Sequence, residues 1–159
     1  MNKSILAGTS LAVAAAAGVG SVASPARHPA WYARLRKPRY QPPGAVFPLV
    51  WTTLYADIAG TSAVVIDRFE TAAQPDKSRA YAAALAVNLI LNAGWSWLFF
   101  SHHKLGASAV GAASLTLSSA DLARRAGEAD PRAGRALLPY PLWCAFATAL
   151  STHIWLLNR

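Results

Sequence analysis

RKPRYQPPGAVFPLVWTTLYADI, the stretch from Arg36 to Ile58, decides the fold, because it joins a basic, proline-punctuated loop directly to an apolar helix. Its first half is barred from helix. Pro38, Pro42 and Pro43 remove backbone donors and push the residues before them toward extended geometry. From Gly44 onward the charges stop, and the next charged side chain, Asp57, lies more than three turns further on. Trp51, Tyr55 and Ile58 then share one face of a helix that begins at the polar loop. This is the layout of a cavity in a membrane bundle, walled by aromatic rings and covered by a cationic loop.

Composition agrees. Charged residues make up 14% of the chain and hydrophobic residues 54%, against roughly 25% charged in soluble domains. The mean hydropathy of +0.27 is modest, but Ala, Gly, Ser and Thr dilute it, and small residues favour close helix packing in lipid. Cys144 is the only cysteine, which excludes an intrachain disulfide and a thiolate metal cluster. A pI near 10.3 suits an anionic partner, lipid headgroup or acidic ligand. Nucleic acid does not fit, because the basic residues fall in short loops and form no extended face.

The expected architecture is all-α, a single membrane domain over residues 1–159 with five transmembrane helices at about 5–24, 44–66, 79–101, 105–123 and 131–157. The first run has two readings, a cleavable signal peptide ending near Ser24 or a spanning helix; the second is favoured because more membrane protein follows. The loop from Arg27 to Arg39 carries Trp31 and Tyr32 among five basic residues, which reads either as interfacial anchoring or as a lid over acidic groups. In the third helix Asn88, Asn92, Trp95 and Phe99 share a face, and two amides facing lipid are costly, so this face points inward. Ala82, Ala83, Ala84 and Ala86 allow close backbone approach and suggest a homodimer seam on this helix. Asp130-Pro131 reads as a cap followed by proline in the first turn, and Pro139 and Pro141 predict a kink. Tyr140, Trp143, Ala147, Leu150 and Ile154 lie along one face of the last helix. Orientation stays open, because Lys3, Arg68, Lys77, Arg79, Arg124, Arg125, Arg132 and Arg135 nearly balance Arg27, Arg34, Arg36, Lys37, Arg39, Lys104 and Arg159.

WYARLRKP (31–38), PPGAVFPLVWTTLY (42–55), LNAGWSWLFF (91–100) and PYPLWCAFATAL (139–150), in that order, resemble the TspO/MBR family of tryptophan-rich sensory proteins and translocator (peripheral-type benzodiazepine receptor) proteins. The resemblance implies a five-helix protein of the membrane, the cell membrane in a bacterium, often dimeric, that binds porphyrins and, in animals, cholesterol and synthetic ligands. Carried over by position, it implies a pocket at Trp51, Asn92, Trp95, Phe99, Trp143, Ala147 and Leu150 under a loop from Trp31 to Tyr40. Three departures bear on the ligand. Tyr40 and Ala45 stand where the family often has Trp, and Thr152 replaces a tyrosine of the segment proposed to recognise cholesterol. A porphyrin, protoporphyrin IX or haem, is therefore the expected ligand, with no cofactor required.

The chemistry of the residues points the same way. A tetrapyrrole is a flat macrocycle with two carboxylates, which needs aromatic faces and cations. Trp31, Tyr32, Tyr40, Trp51, Tyr55, Trp95, Phe99 and Trp143, with Asn88, Asn92, Ala147 and Leu150, supply the wall. Arg34, Arg36, Lys37 and Arg39 supply the cations. His28, His102, His103 and His153 are the conceivable iron ligands, but the tryptophans offer none, so free-base binding without metal ligation is expected. Two other function classes stay in view: a light-dependent porphyrin-degrading enzyme, with no acid–base pair or nucleophile for ordinary catalysis, and a proton-coupled secondary transporter using Asp57, the one acid inside a span. Asp57 reads first as a hydrogen-bonded packing residue.

Overall fold

The computed structural model describes residues 2–25 and 28–159; Arg27, counted above among the loop cations, lies outside the described residues. The elements are α1 (Lys3–Val22), α2 (Pro29–Arg34), α3 (Val46–Thr71), α4 (Pro75–Ser96) running on into a π turn (Trp97–Ser101), α5 (Leu105–Ala129), α6 (Pro131–Ala136) and α7 (Pro139–Asn158). No strand occurs among the described residues.

Local chemistry sets the helix starts. The Asn2 side chain accepts from Ser4 N at 2.9 Å and caps α1, and Asp130 accepts from Arg132 N at 2.8 Å at the start of α6, with Pro131 in the first turn. Three helices overrun the expected boundaries. α3 continues to Thr71, α4 begins at Pro75, and α5 continues to Ala129. The reason is shared: a charged run ends the apolar span without ending the helix. In α5, Arg124 and Arg125 bridge Asp121, and Arg124 also bonds Glu128, so the charges support the helix at i, i+3 and i, i+4 spacing. The expected last helix is two helices, because Pro139 brings no N–H and opens a new helix after a turn at Leu137 and Leu138. Within the basic loop, Pro29 starts a short helix, α2, where only irregular chain was expected.

α1 is an integral part of the bundle. Thr9 Oγ1 donates to Ala59 O of α3 at 3.0 Å, Val13 is buried, and Trp97 Nε1 donates to Val19 O at 3.0 Å. At the other boundary α6 folds tightly back on α5, where a Cβ on Gly134 would come within 2.7 Å of Gly127 Cα; only glycine fits there.

Successive long helices alternate in direction. Asn2 N donates to Asp67 Oδ1 at 3.0 Å and Arg68 pairs with Asp130 at 3.5 Å, which gathers the start of α1, the end of α3 and the start of α6 at one end. The loop containing α2 and the end of α7 meet at the other. α1, α3 and α4 with its π turn are long and apolar enough to cross a membrane. α5 and α7, at 25 and 20 residues, have the length. Large side chains such as Leu49, Ile90, Leu117 and Leu142 point outward, each about 70% exposed, as a lipid-facing belt requires.

Candidate functional site

Under the loop, Phe99, Leu150 and Ile154 form a buried nucleus packed by Trp31, Tyr32, Leu35, Phe47, Trp95, Phe100 and Phe146. Trp95 stacks on Phe99 with ring centres 5.7 Å apart, and Trp31 and Tyr32 meet Phe99 edge-on at 5.9 and 6.4 Å. Trp51, Tyr55 and Trp143 belong to the main core of the bundle. Trp143 joins the two groups, 5.9 Å from Phe47 and 5.2 Å from Phe146. The structure thus gathers Trp31, Tyr32, Phe47, Trp95 and Phe100 on the nucleus under the loop, sets Tyr40 and Trp143 against Phe146 beside it, and places Trp51 with Tyr55 and Tyr140 in the main core. Phe47, Phe100 and Phe146 were missed in the sequence. Phe47 lies four residues before Trp51 and Phe146 three after Trp143, so the same helical spacing carried the signal.

Asn88 and Asn92 are almost fully buried, and their polar atoms are spent within the protein. Tyr55 Oη donates to Asn92 Oδ1 at 2.8 Å, Asn92 Nδ2 donates to Tyr140 Oη at 3.1 Å, Tyr140 Oη donates to Asn88 Oδ1 at 2.7 Å, and Asn88 Nδ2 donates to Ser118 Oγ at 3.1 Å. This spine ties α3, α4, α5 and α7 together. Tyr140 is its hub, and its role was not legible because spacing alone places it only on a face. Asp57 accepts a hydrogen bond from Thr61 at 2.8 Å, apart from the aromatic cluster. Ala147 is half-buried on α7.

Trp95 Nε1, Trp143 Nε1 and Gln41 Oε1 are buried with no hydrogen-bond partner among the described residues. An unmatched buried polar atom costs about 1–3 kcal/mol. Two indole donors and one amide acceptor around the aromatic cluster are therefore suited to a ligand with polar atoms on its body.

The lid is latched. Arg36 N donates to Asn158 Oδ1 and Asn158 Nδ2 donates to Arg36 O, both at 2.9 Å, so one side chain at the end of α7 holds the loop at both backbone groups of a residue. Tyr40 Oη donates to Ala149 O at 3.4 Å and its ring lies 6.2 Å from Phe146. Gln41 Nε2 donates to Tyr32 Oη at 2.9 Å. Burial pushes the Tyr32 phenol above its usual range, and the Gln41 bond pulls the other way. Lys37 Nζ sits 4.6 Å over the Tyr32 ring, so among the four proposed carboxylate partners it is the one engaged within the lid. Arg34, Arg36 and Arg39 have exposed side chains. His103, with a positive φ of 54°, stacks on Trp31 at 3.9 Å, and His28 meets His103 edge-on at 5.5 Å. Among the described residues no group of three or more His, Cys, Asp or Glu is placed to hold a metal ion.

Charge is segregated along the bundle. Arg34, Arg36, Lys37, Arg39, Lys104 and Arg159 lie at the lid end, where no acid stands; apart from Asp57 within α3, every acid of the chain, Asp67, Glu70, Asp76, Asp121, Glu128 and Asp130, lies toward the other end. That other end holds a cleft of about 520 Å³ beside Glu70, Pro75 and Arg79 and a notch of about 40 Å³ beside Lys77 and Arg125. Under the lid the rings pack on one another.

These features define an α-helical membrane protein with an aromatic core beneath a cationic lid. The TspO/MBR family model matches residues 8–156, and the chain belongs to that family. It is 31% identical to Protein CrtK of Rhodobacter capsulatus over 148 residues, 93% of this chain and 89% of that protein. It is also 31% identical to the Translocator protein of Homo sapiens over 125 residues, 79% and 73% of the two chains. Against the Tryptophan-rich sensory protein of Cereibacter sphaeroides the identity is 31% over 128 residues, 80% and 77% of the two chains. The family is one of membrane sensor and translocator proteins.

Proposed function

We propose that this chain, with all five long helices crossing the membrane, binds an acidic porphyrin beneath the lid and acts as its sensor or transporter. The observation that carries the reading is the combination of an aromatic cluster around Phe99, Leu150 and Ile154 with an acid-free cationic loop packed on it. Trp51 and Trp143 stack on the macrocycle, the Trp95 and Trp143 indole donors meet its polar atoms, and Arg34, Arg36 or Arg39 meets its carboxylates. Because the rings fill their own space, binding requires the lid to lift and the aromatic side chains to part. The chemistry of binding needs no metal and no catalytic residue from the protein.

Titration of the purified protein with protoporphyrin IX, in darkness and then in light, tests this reading against photodegradation. The expected result is saturable quenching of tryptophan fluorescence with the pigment recovered intact from both arms. Trp51→Phe and Trp143→Phe should each weaken binding by about 1 kcal/mol or less, because one ring face remains. Unchanged affinity in both variants places the ligand elsewhere, and pigment loss only in light with the wild-type chain makes the protein an enzyme.

The chain is further proposed to be a homodimer through α4, whose Ala82, Ala83 and Ala86 are exposed and permit close helix approach. Ala83→Leu and Ala86→Leu should each run as monomer in mild detergent by light scattering; dimers in both variants move the seam to another helix.

A further inference from the structure

The lid end carries the proposed ligand site, but the opposite end holds a separate arrangement of cations. The notch of about 40 Å³ there is lined by Phe69, Lys77, Ala80, Tyr81, Arg125 and Glu128. At the ~10–15 Å³ needed per water-sized position, it admits about three such positions, the scale of a small oxyanion. Its floor is apolar, since Phe69 and Tyr81 are buried, and the Tyr81 hydroxyl is already paired with Ser62 at 3.0 Å. Its rim is cationic. Lys77 Nζ stands 6.0 Å from the Phe69 ring centre and makes no ion pair among the described residues. Arg125 spends Nε on Asp121 at 2.6 Å while its side chain stays about one-third exposed. Glu128 adds no free charge, because Arg124 already bonds it. Asp121, Arg124, Arg125 and Glu128 thus neutralise one another, and Lys77 is the unmatched charge at the mouth.

The position of the notch selects the anion. Phe69 is in the last turn of α3, Lys77 in the first turn of α4 and Arg125 one turn from the end of α5, so the notch opens where three helices leave the apolar zone. Two turns deeper along the same lines of α4 and α5, at i+7 from Ala80 and i−8 from Arg125, stand Val87 and Leu117, which are exposed apolar side chains. A cationic mouth at headgroup depth continued inward by apolar flanks matches an anion that carries hydrocarbon. We propose that this notch binds the phosphodiester headgroup of an anionic phospholipid, with Lys77 as the main contact and the acyl chains lying along Val87 and Leu117. Basic niches between helices at the membrane surface hold lipid headgroups through the same electrostatics.

The test uses the full chain in nanodiscs that contain phosphatidylcholine with a small fraction of phosphatidylglycerol, and reads retained lipid by native mass spectrometry. Wild-type protein should retain phosphatidylglycerol over phosphatidylcholine, and Lys77→Gln should lower that preference about fivefold, the effect of one basic residue at an anionic leaflet. Lys77→Arg should keep it. Arg79→Gln, two residues on and paired with Asp76, should also keep it. Equal losses in Lys77→Gln and Arg79→Gln would show diffuse surface charge and overturn the site, as would an unchanged preference in Lys77→Gln. A second arm adds inorganic phosphate to pure phosphatidylcholine discs and follows the thermal midpoint. A Lys77-dependent rise there, equal to that given by phosphatidylglycerol, overturns the lipid assignment in favour of free phosphate.

Discussion

At the end where α3 hands over to α4, cations and acids answer one another: Arg68 pairs with Asp130, Arg79 with Asp76, and Arg124 and Arg125 with Asp121. At the lid end the cations have no acid to answer them, and neutral groups do the fastening instead, chiefly the Arg36–Asn158 amide pair and the Tyr40 hydroxyl. Paired surface charges contribute little each, about 0–1 kcal/mol, and serve mainly to extend the helices past their apolar runs. Unpaired cations beside an aromatic cluster are what the proposed acidic ligand would meet. The contrast separates an end where most charges are paired, with Lys77 the exception, from an end where no acid faces the cations.

The comparison can be broken from either side. The largest effect should come from between the two ends, at the polar spine. Tyr140→Phe keeps the ring but strands Asn88 Oδ1 and Asn92 Nδ2 in the apolar core, and should cost about 2 kcal/mol of stability, read as a lower thermal midpoint in detergent. A midpoint equal to wild type would mean that the spine does not tie the helices. A smaller effect, about 1 kcal/mol and local, is expected for Asn158→Ala. Amide hydrogen exchange should quicken from Arg36 to Gln41 and porphyrin release should accelerate, while the far end stays protected. Uniform exchange across the chain would make Asn158 an ordinary helix-end residue, not a latch.

Much of this was legible in the sequence because lipid imposes a simple rule: apolar runs of spanning length must be helices. The run of prolines at 38, 42 and 43 located the lid, and Asp130-Pro131 located a helix start. The helix ends were harder. Asp67, Lys77, Arg124 and Arg125 mark where chain meets water, and helices run past that boundary where charges pair along the surface, Arg79 with Asp76 on α4 and Arg124 and Arg125 with Asp121 on α5. Helical spacing put Trp51, Trp95, Phe99 and Trp143 on inward faces; the structure packs Trp95 and Phe99 under the lid, Trp143 against Phe47 and Phe146, and Trp51 in the main core. It could not tell a wall from a strut, so Asn88, Asn92 and Tyr55 looked like ligand contacts although their polar atoms hold helices together. Asn158 carried no signal, and His103 was read only as a conceivable iron ligand, since their partners, Arg36 and Trp31, are distant in the chain and meet them only through the fold.

The most direct measurement is the affinity for protoporphyrin IX and for its dimethyl ester, compared in wild-type protein and in a variant carrying Arg34→Glu, Arg36→Glu and Arg39→Glu. If the lid cations hold the carboxylates, the free acid should lose at least about tenfold in affinity, a 1.4 kcal/mol effect, and the ester should bind both proteins alike. Equal loss of acid and ester would reduce the lid to a structural cover and contradict the electrostatic assignment.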